Sequence, residues 1–449
     1  MVRVLVPAGA LGLGFDRAAL ARGVANRPDL IAIDGGSTDS GPSYLGRGVS
    51  KYARGSTKAE WAELIAAARA AGCPLAIGTA GTCGAGPAVD WLVDITCEIL
   101  RETGHRARIA VLKSDQPAAR VARALAEGRV APLEPAPEID AATLHACAHI
   151  VALAGAEQIG AALATGADIV IAGRATDTAT IAALPLARGV APGLAWHAAK
   201  IAECGAMCAT RPRSGVVQID WDADGFVVAP LAEGARATPR TVSAHMLYEN
   251  ADPHRLVEPG GTLDVEGARY EALDDARVRV TGSVWHPAEA YTVKLEGARV
   301  AGYQTVLLAL LRDPRYVARA AEWAADVVAR CTAEAVATGT PRAAFEIELR
   351  LIGRDATLGP LETRRGDPVE LGALGLVTAD TPARAAEVAK LLNPYLLHHP
   401  LDPEEPVPTF AFPFSPAEID RGAVHAFCLN HVMRLDDPME AFALEVLDA

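Results

Sequence analysis

The sequence predicts an α/β protein: an N-terminal, mostly parallel sheet with flanking helices, followed by an α+β C-terminal part. Short apolar runs alternate with alanine-rich helical patterns, which is typical of parallel strands joined by right-handed crossovers. Aromatic residues are only 5% of the chain and hydrophobic residues are 51%, so the core is mostly aliphatic, as in sheets covered by helices. After about Arg213 the strands become more frequent, which predicts the α+β part.

Six apolar runs are predicted to be strands of the N-terminal sheet. In chain order they are VRVLVPAGA, DLIAIDGG, PLAIGTAG, ARIAVLKSD, HIVALAGAE and ADIVIAGRATD. Helical patterns such as TKAEWAELIAAARAAG, PAARVARALAEGRV and AEQIGAALATG lie between several of them. Because the carboxyl ends of parallel strands share one edge, the polar segments that follow these runs are expected to converge on one crevice.

The chain is expected to form a parallel α/β domain, residues 1–212, that carries the site, and an α+β domain, residues 213–449. The second can be divided again into 213–340 and 341–449. Its strand patterns are GVVQIDWDADGFVVAP, RVRVTGSVWHP, AYTVKLEGARVAGYQTVLLAL and AAFEIELRLIG; its helical patterns are RYVARAAEWAADVVARCTAEA and TPARAAEVAKLLNPYLL. A length of 449 residues is enough for two or three domains.

Charge and composition exclude several classes of partner. A formal net charge of -13 argues against a nucleic-acid surface, although a local basic pocket can still bind an anionic substrate. The N-terminus lacks the features of a signal peptide, and no apolar run is as long as a membrane span. The 8 cysteines are dispersed without a CxxC pair, which favours reduced thiols. We therefore expect a cytoplasmic protein that binds neither nucleic acid nor membrane. A homo-oligomer is a separate expectation.

The first candidate site is the loop GGSTDSGPSYLG. Gly35 and Gly36 permit positive φ and close backbone approach, and successive N–H groups there can form an anion nest. Ser37 and Thr38 add hydroxyls, and Asp39 adds a carboxylate that can act as a base. This combination suits a bound carboxylate or phosphate. The alternative is an ordinary strand-to-helix turn capped by its own side chains.

The second candidate is the loop GTAGTCGAGP, in which Thr79, Gly81 and Thr82 could cradle a carboxylate or the phosphates of an acyl carrier. It matches neither GxGxxG nor GxxxxGK[ST], so it does not predict a nucleotide site. Cys83 could be a nucleophile if its thiolate were stabilised at a helix start. The alternative is a small buried thiol that packs as a hydrophobe.

Two further strand ends carry charged residues. In LKSDQP, Lys113 and Asp115 could form a pair that orients one of them as an acid or base, or they could belong to a capping turn. In AGRATD, Arg174 offers a bidentate fork for a substrate carboxylate, with Asp177 beside it. Asp177 could instead pair with Arg174 structurally or cap a helix.

No cofactor signature is present in the sequence. A metal-assisted reaction is still open, because Asp39 and Asp177 could supply oxygen ligands for Mg²⁺. GGSTDSG and GRATDTA, the two loops that contain these aspartates, are near-copies. If they face the same edge of one sheet, the two aspartates should meet across a pocket.

The assembled motifs resemble the acyclic terpene utilisation AtuA family. The matching segments are LIAIDGGSTDSGPSYLG, AGAEQIGAALATGADIVIAGRATDTA, ECGAMC, HMLYENADPHRLVEPGGTLD and FAFPFSP. The resemblance implies a cytoplasmic bacterial enzyme that breaks down branched carboxylic acids or their CoA thioesters. Other members carry a short extra C-terminal domain or have a small separate partner, so a separately encoded partner protein is an expectation here too.

Three functional hypotheses follow. The first is a hydratase- or dehydratase-like lyase acting on a small carboxylic acid or acyl-CoA, with Asp39, Lys113 or Asp115 transferring protons and Arg174 with the glycine-rich loops binding the anion. The second is a hydrolase or acyl transferase that uses Cys83 or a loop serine. The third is a ligand-binding or scaffold subunit without catalytic activity.

Overall fold

The computed structural model describes residues 1–212, 215–364 and 366–449. These residues form two compact units, Met1–Arg299 with Phe427–Ala449, and Val300–Ala426. The predicted boundary falls at Arg213, outside the described residues, and the division into 1–212 and 213–449 stays a prediction.

The strands are β1 (Val2–Val6), β2 (Leu30–Asp34), β3 (Leu75–Gly78), β4 (Arg108–Lys113), β5 (Val130–Pro132), β6 (Cys147–Ala152), β7 (Ile169–Ala172), β8 (Val217–Trp221), β9 (Gly225–Pro230), β10 (Arg255–Glu258), β11 (Gly261–Asp264), β12 (Arg269–Ala272), β13 (Val278–Thr281), β14 (Val284–Pro287), β15 (Tyr291–Leu311), β16 (Phe345–Ile352), β17 (Leu371–Ala379), β18 (Ile419–Leu435) and β19 (Ala443–Asp448).

The helices are α1 (Arg17–Ala25), α2 (Pro42–Arg47), α3 (Arg54–Ala71), α4 (Gly86–Thr103), α5 (Ala118–Ala126), α6 (Ala141–Ala146), α7 (Ala156–Ala164), α8 (Asp177–Ala187), α9 (Pro192–Glu203), α10 (Pro239–Ala244), α11 (Pro314–Ala318), α12 (Ala320–Ala337) and α13 (Pro382–His398). A short 3₁₀ helix, Thr38–Ser40, follows β2.

The first unit contains the predicted parallel sheet. Strands β1, β2, β3, β7 and β4 lie side by side in that order and are parallel. Strand β8 extends the sheet antiparallel to β1, followed by β9, β13 and β12, and β19 pairs antiparallel with β4 at the other edge. The predicted class, a mostly parallel α/β part followed by an α+β part, is confirmed.

Alternation along the strands gives this sheet two apolar faces. In β2, Ile31 and Ile33 pack against α1, α3 and α4, whereas Leu30 and Ala32 belong to the core on the side of α7, α8 and α9. All four side chains are almost completely buried. Burial on both faces explains why the strands appear in the sequence as nearly continuous apolar runs.

One predicted strand takes a different place from the one expected. The run HIVALAGAE does form β6, but β6 pairs antiparallel with Leu295–Arg299 of β15 and is absent from the strand order of the parallel sheet. The physical reason is that both edges of β4 are occupied, one by β7 and the other by β19. The pairing of Val151 with Glu296 fixes the start of β15 and so positions two charged residues of the site.

The second unit is built on antiparallel pairing. Strand β17 pairs with β16 on one side and with Tyr303–Leu311 of β15 on the other. Helices α12 and α13 cover this sheet through a core that includes Val327, Val377 and Leu392. The helical pattern predicted after β15 is divided at Arg319 into α11 and α12.

Over residues 1–212, 215–364 and 366–449, no helix has both the length and the apolar character needed to cross a membrane.

Candidate functional site

A cleft of about 550 Å³ lies beyond the carboxyl ends of β2 and β7, within the first unit. Five of its lining residues are predicted from the sequence: Ser37, Thr38, Asp39, Arg174 and Asp177. The other lining residues are Glu249, Lys294, Glu296, Phe427, Leu429 and Asn430. The structure therefore places the two loops that contain Thr-Asp on one cleft, with both aspartates in its lining.

The guanidinium of Arg174 is held by the protein itself. Its Nε donates to Glu296 Oε2 at 3.0 Å and its Nη2 to Glu296 Oε1 at 3.3 Å. Its Nη1 donates to Thr79 Oγ1 at 3.3 Å and to the carbonyl of Ala175 at 3.0 Å. The fork that was expected to grip a substrate carboxylate thus already holds the carboxylate of Glu296, so Arg174 positions Glu296 in this structure.

This buried pair is ionised. Burial raises the pKa of Glu296, but the charge and hydrogen bonds of Arg174, with smaller contributions from Lys294 and Thr38, lower it to about 2. Burial lowers the pKa of Arg174, but Glu296 and Asp177 raise it by more, so the net shift is upward. The hydroxyl of Thr38 donates a further hydrogen bond to Glu296 Oε2 at 2.9 Å.

Asp177 is a carboxyl of the cleft whose pKa is raised. It begins α8, directly after Thr176, whose hydroxyl caps the helix by accepting from the N–H of Ala179. The side chain is 28% exposed and its Oδ1 lies 3.6 Å from Arg174 Nη1. Burial raises its pKa; the positive charges of Arg174 and Lys200 oppose this, and the carboxylate of Glu249 adds to it. The net shift is upward, which favours the protonated form.

Asp34, the last residue of β2, is a second carboxyl with a raised pKa, and the sequence patterns do not single it out. Its Oδ2 accepts from the N–H of Gly36 at 2.8 Å, while its Oδ1 has no partner among the described residues. Burial, with a contribution from Asp177, raises its pKa well above that of a free carboxyl. The sequence signal that could have revealed Asp34 is its position at the end of an apolar strand.

The end of α9 adds a buried ion pair behind Asp177. Lys200 donates to Glu203, and both side chains are nearly inaccessible. Burial lowers the pKa of Lys200, but Glu203 raises it by more. Burial raises the pKa of Glu203 to about 8 despite the lysine. Glu203 belongs to the segment ECGAMC, and its burial is the main cause of the raised pKa.

The glycine-rich loops contact each other more than they contact the cleft. The N–H of Gly35 donates to the carbonyl of Gly78 and that of Gly36 to Asp34, so both are used within the protein rather than in an anion nest. A Cβ on Gly35 would lie 2.3 Å from the carbonyl oxygen of Thr79, and Gly81 similarly faces Ala88 of α4. The glycines permit close packing of neighbouring loops.

Backbone strain is concentrated near this region. Among the described residues, the non-glycine residues with positive φ are Arg27, Thr79, Thr82 and Glu249. Thr79 contacts Arg174, and Glu249 lines the cleft. Strained residues persist where the surrounding structure enforces them, which is common at functional sites.

Lys113 and Asp115 lie apart from the cleft lining, and the pair expected between them is replaced by other contacts. Lys113 Nζ is 2.7 Å from Asp90 Oδ1, on α4. Asp115 Oδ1 accepts from the N–H of Gly86 at 2.9 Å, at the start of the same helix. Because α4 offers both partners, these residues join β4 to α4.

Cys83 is completely buried, and burial raises the pKa of its thiol. Thr82 accepts through its hydroxyl from the N–H of Lys51. Neither residue is part of the cleft lining, and both hold the loop after β3 in place.

The sequence patterns also missed Lys294 and Glu296. They are two residues apart on β15, so they project from the same face of the strand. Lys294 Nζ lies 3.3 Å from Glu296 Oε1, and 40% of the lysine side chain is exposed, so its ammonium group can reach a ligand in the cleft. Charged residues inside the apolar run YTVKLEG were the signal that could have revealed them.

Within the residues that the structure describes, no group of three or more His, Cys, Asp and Glu side chains is arranged to hold a metal ion. Asp39 and Asp177 line one cleft but belong to no such group.

Fold and cleft together define an α/β protein with a charged cleft at the carboxyl edge of its parallel strands. The model of the acyclic terpene utilisation family protein AtuA matches residues 83–402, well over half of the chain. The chain belongs to this family. The matched range includes Arg174, Asp177, Lys294 and Glu296, whereas the loop with Asp39 lies before it. No curated protein and no solved structure matches the chain.

Proposed function

We propose that the chain is a lyase-type catabolic enzyme that adds water to, or removes it from, a small carboxylic acid or its acyl-CoA thioester. The observation that carries this proposal is the placement of three groups on one cleft: the carboxyl of Asp177 with its raised pKa, the exposed carboxylate of Asp39 and the ammonium of Lys294. Acid, base and cation are the groups that hydration and dehydration need.

The roles follow from the surroundings of each group. Asp177 keeps its proton at a higher pH than a free carboxyl, so it can protonate a departing hydroxyl group. Asp39 is exposed at the opposite loop and can remove the proton next to the substrate carbonyl. Water leaves when both transfers occur, and addition of water is the reverse.

The anion-binding role passes from Arg174 to Lys294. Because Glu296 occupies the arginine fork, a substrate carboxylate or the enolate-like charge of a thioester would meet the more exposed lysine. The Arg174–Glu296 pair would keep Lys294 directed at the cleft, since Glu296 contacts both cations.

A hydrolase or acyl transferase that uses Cys83 has less support, because the thiol is fully buried and its pKa is raised. A thiolate nucleophile needs a lowered pKa and access to the substrate. The experiment below distinguishes the enzyme from a binding subunit that works alone or with a small partner protein.

The test is turnover of a panel of 2-enoic acids, 3-hydroxy acids and their CoA thioesters, followed by the gain or loss of the conjugated double bond. For a compound that is turned over, Asp177→Asn should lower kcat by roughly 10²- to 10⁴-fold, the usual contribution of a general acid. Lys294→Met should raise KM.

Lys113→Met is the matched control, since Lys113 is a strand-end lysine outside the cleft lining, and its kcat and KM should equal those of the wild type. Wild-type kcat in a folded Asp177→Asn variant would exclude Asp177 as the acid. Compounds that raise the melting temperature without turnover would instead support the binding subunit.

A further inference from the structure

Two thiols that are far apart in sequence lie against each other in the first unit. Cys147 Sγ on β6 and Cys428 Sγ on β18 are 2.8 Å apart, although 281 positions separate them. Cys147 is half-buried and Cys428 is 4% exposed, and both are free cysteines. This distance is well inside the contact distance of two sulfur atoms that do not interact.

The surrounding residues make this approach specific. Gly297, paired with β6, lies beside the pair: a Cβ there would lie 2.6 Å from Leu429 Cδ1 and 3.2 Å from Cys147 Sγ, so a larger residue would crowd both strands. The guanidinium of Arg299 lowers the pKa of Cys428 after the larger effect of the hydrogen bond from Cys147. A thiol with a lowered pKa is the more reactive partner towards oxidants.

We propose that Cys147 and Cys428 form a reversible disulfide, which makes the pair an oxidation site of this protein. With hydrogen peroxide as the oxidant, the Cys428 thiolate attacks one oxygen, the O–O bond breaks and hydroxide leaves, giving a sulfenic acid; the hydroxide takes up the proton that Cys428 lost on ionisation and becomes the first water. The Cys147 thiol then attacks this sulfur, the S–O bond breaks, and a second water carries away the Cys147 proton. One peroxide is reduced to two waters for each disulfide formed.

The disulfide would join β6 to the strand that supplies a wall of the cleft. Phe427 and Leu429, the neighbours of Cys428, both line the cleft. A cross-link that closes a long loop constrains the unfolded chain, so the oxidised protein should melt at a higher temperature than the reduced one. This consequence is independent of the proposed reaction.

The experiment oxidises the reduced full-length protein with hydrogen peroxide, then alkylates it after unfolding and maps its peptides by mass spectrometry. Of the 8 thiols, 6 should be alkylated and the other two should appear as one Cys147–Cys428 cross-linked peptide, with all of them recovered after dithiothreitol. Cys428→Ser and Cys147→Ser should each abolish the cross-link, whereas Cys97→Ser should leave it unchanged.

Cys97 is the informative comparison because it is half-buried on α4 and more accessible than Cys428. If oxidation followed exposure alone, Cys97 would lose its thiol before Cys428. Alkylation of all the thiols after peroxide treatment, or protection of a different pair, would overturn the proposal. The wild-type peptide map decides this even where a serine variant fails to fold.

Discussion

The loops that follow β2 and β7 both contain a Thr-Asp pair and line the same cleft, but the threonines of the two pairs make different hydrogen bonds. Thr176 caps α8, and Asp177 is the first residue of that helix. Thr38 makes no cap bond: it begins a three-residue 3₁₀ helix, and its hydroxyl donates to Glu296. Gly41, with φ of 102°, ends the short helix before α2 begins.

The same comparison extends to the glutamates that the loops contact. Thr38 donates to Glu296, whose pKa Arg174 lowers to about 2 against the effect of burial. Thr178, in the first turn of α8, donates to Glu258, whose pKa burial raises to about 7. Two buried glutamates, each with a threonine donor, thus have pKa values shifted in opposite directions, because only one of them has an arginine.

The largest expected effect comes from removing that arginine. Arg174→Met leaves Glu296 as a buried carboxylate without its fork, and breaking a buried pair in this way costs about 3–5 kcal/mol. The free energy of unfolding, measured with urea, should fall by this amount, and Glu296 should then resemble Glu258 in having a raised pKa.

Arg54→Met is the matched control, because Arg54 pairs with Glu98 at the surface, where an ion pair contributes roughly 0–1 kcal/mol. If the two variants lose equal stability, the Arg174–Glu296 pair is not the reason for the difference between the loops.

The sequence predicted the parallel strands and the residues that follow them, because apolar alternation and glycine punctuation are local signals. Asp39 and Asp177 line one cleft because β2 and β7, which flank β3 in the parallel sheet, end at the same edge. Glu296 could not be paired with Arg174 in advance, because β15 reaches the site only through its antiparallel pairing with β6. The sequence also could not show that Asp34 and Glu203 are buried, and burial sets their pKa values.

A smaller effect is expected from pH at the second loop. The pKa of Glu258 is about 7 in the folded protein against 4.5 for a free side chain. Between these values the folded state keeps a proton that the unfolded state has lost, so the free energy of unfolding falls as pH rises, by about 1.4 kcal/mol per pH unit for one such group. Glu258→Gln should therefore show a shallower decline of melting temperature from pH 5 to pH 7 than the wild type.

Other carboxyls with raised pKa values, such as Asp177 and Glu203, contribute a decline of the same sign, so the difference between variant and wild type isolates Glu258. Glu296 contributes only a small slope of the opposite sign over this range, because its folded pKa is about 2 and the unfolded side chain, with a pKa of 4.5, is mostly ionised above pH 5. Parallel melting curves for the wild type and Glu258→Gln would show that Glu258 is ionised in the folded protein, as Glu296 is.

The smallest effect tests whether Thr-Asp starts a helix in only one of the loops. Thr176→Ala removes the hydroxyl that accepts from Ala179 N–H at 3.2 Å, and the loss of such a cap costs about 1 kcal/mol. Thr176→Ser keeps a hydroxyl in the same place and should retain nearly the full free energy of unfolding in urea. At the first loop, Thr38→Ala removes the hydrogen bond to Glu296 instead of a helix cap. Its cost in free energy of unfolding should therefore disappear when Glu296 is replaced by Gln. The cost of Thr176→Ala should be the same in the Glu296→Gln background as in the wild type. Equal coupling of both threonines to Glu296 would mean that the two loops are not used differently.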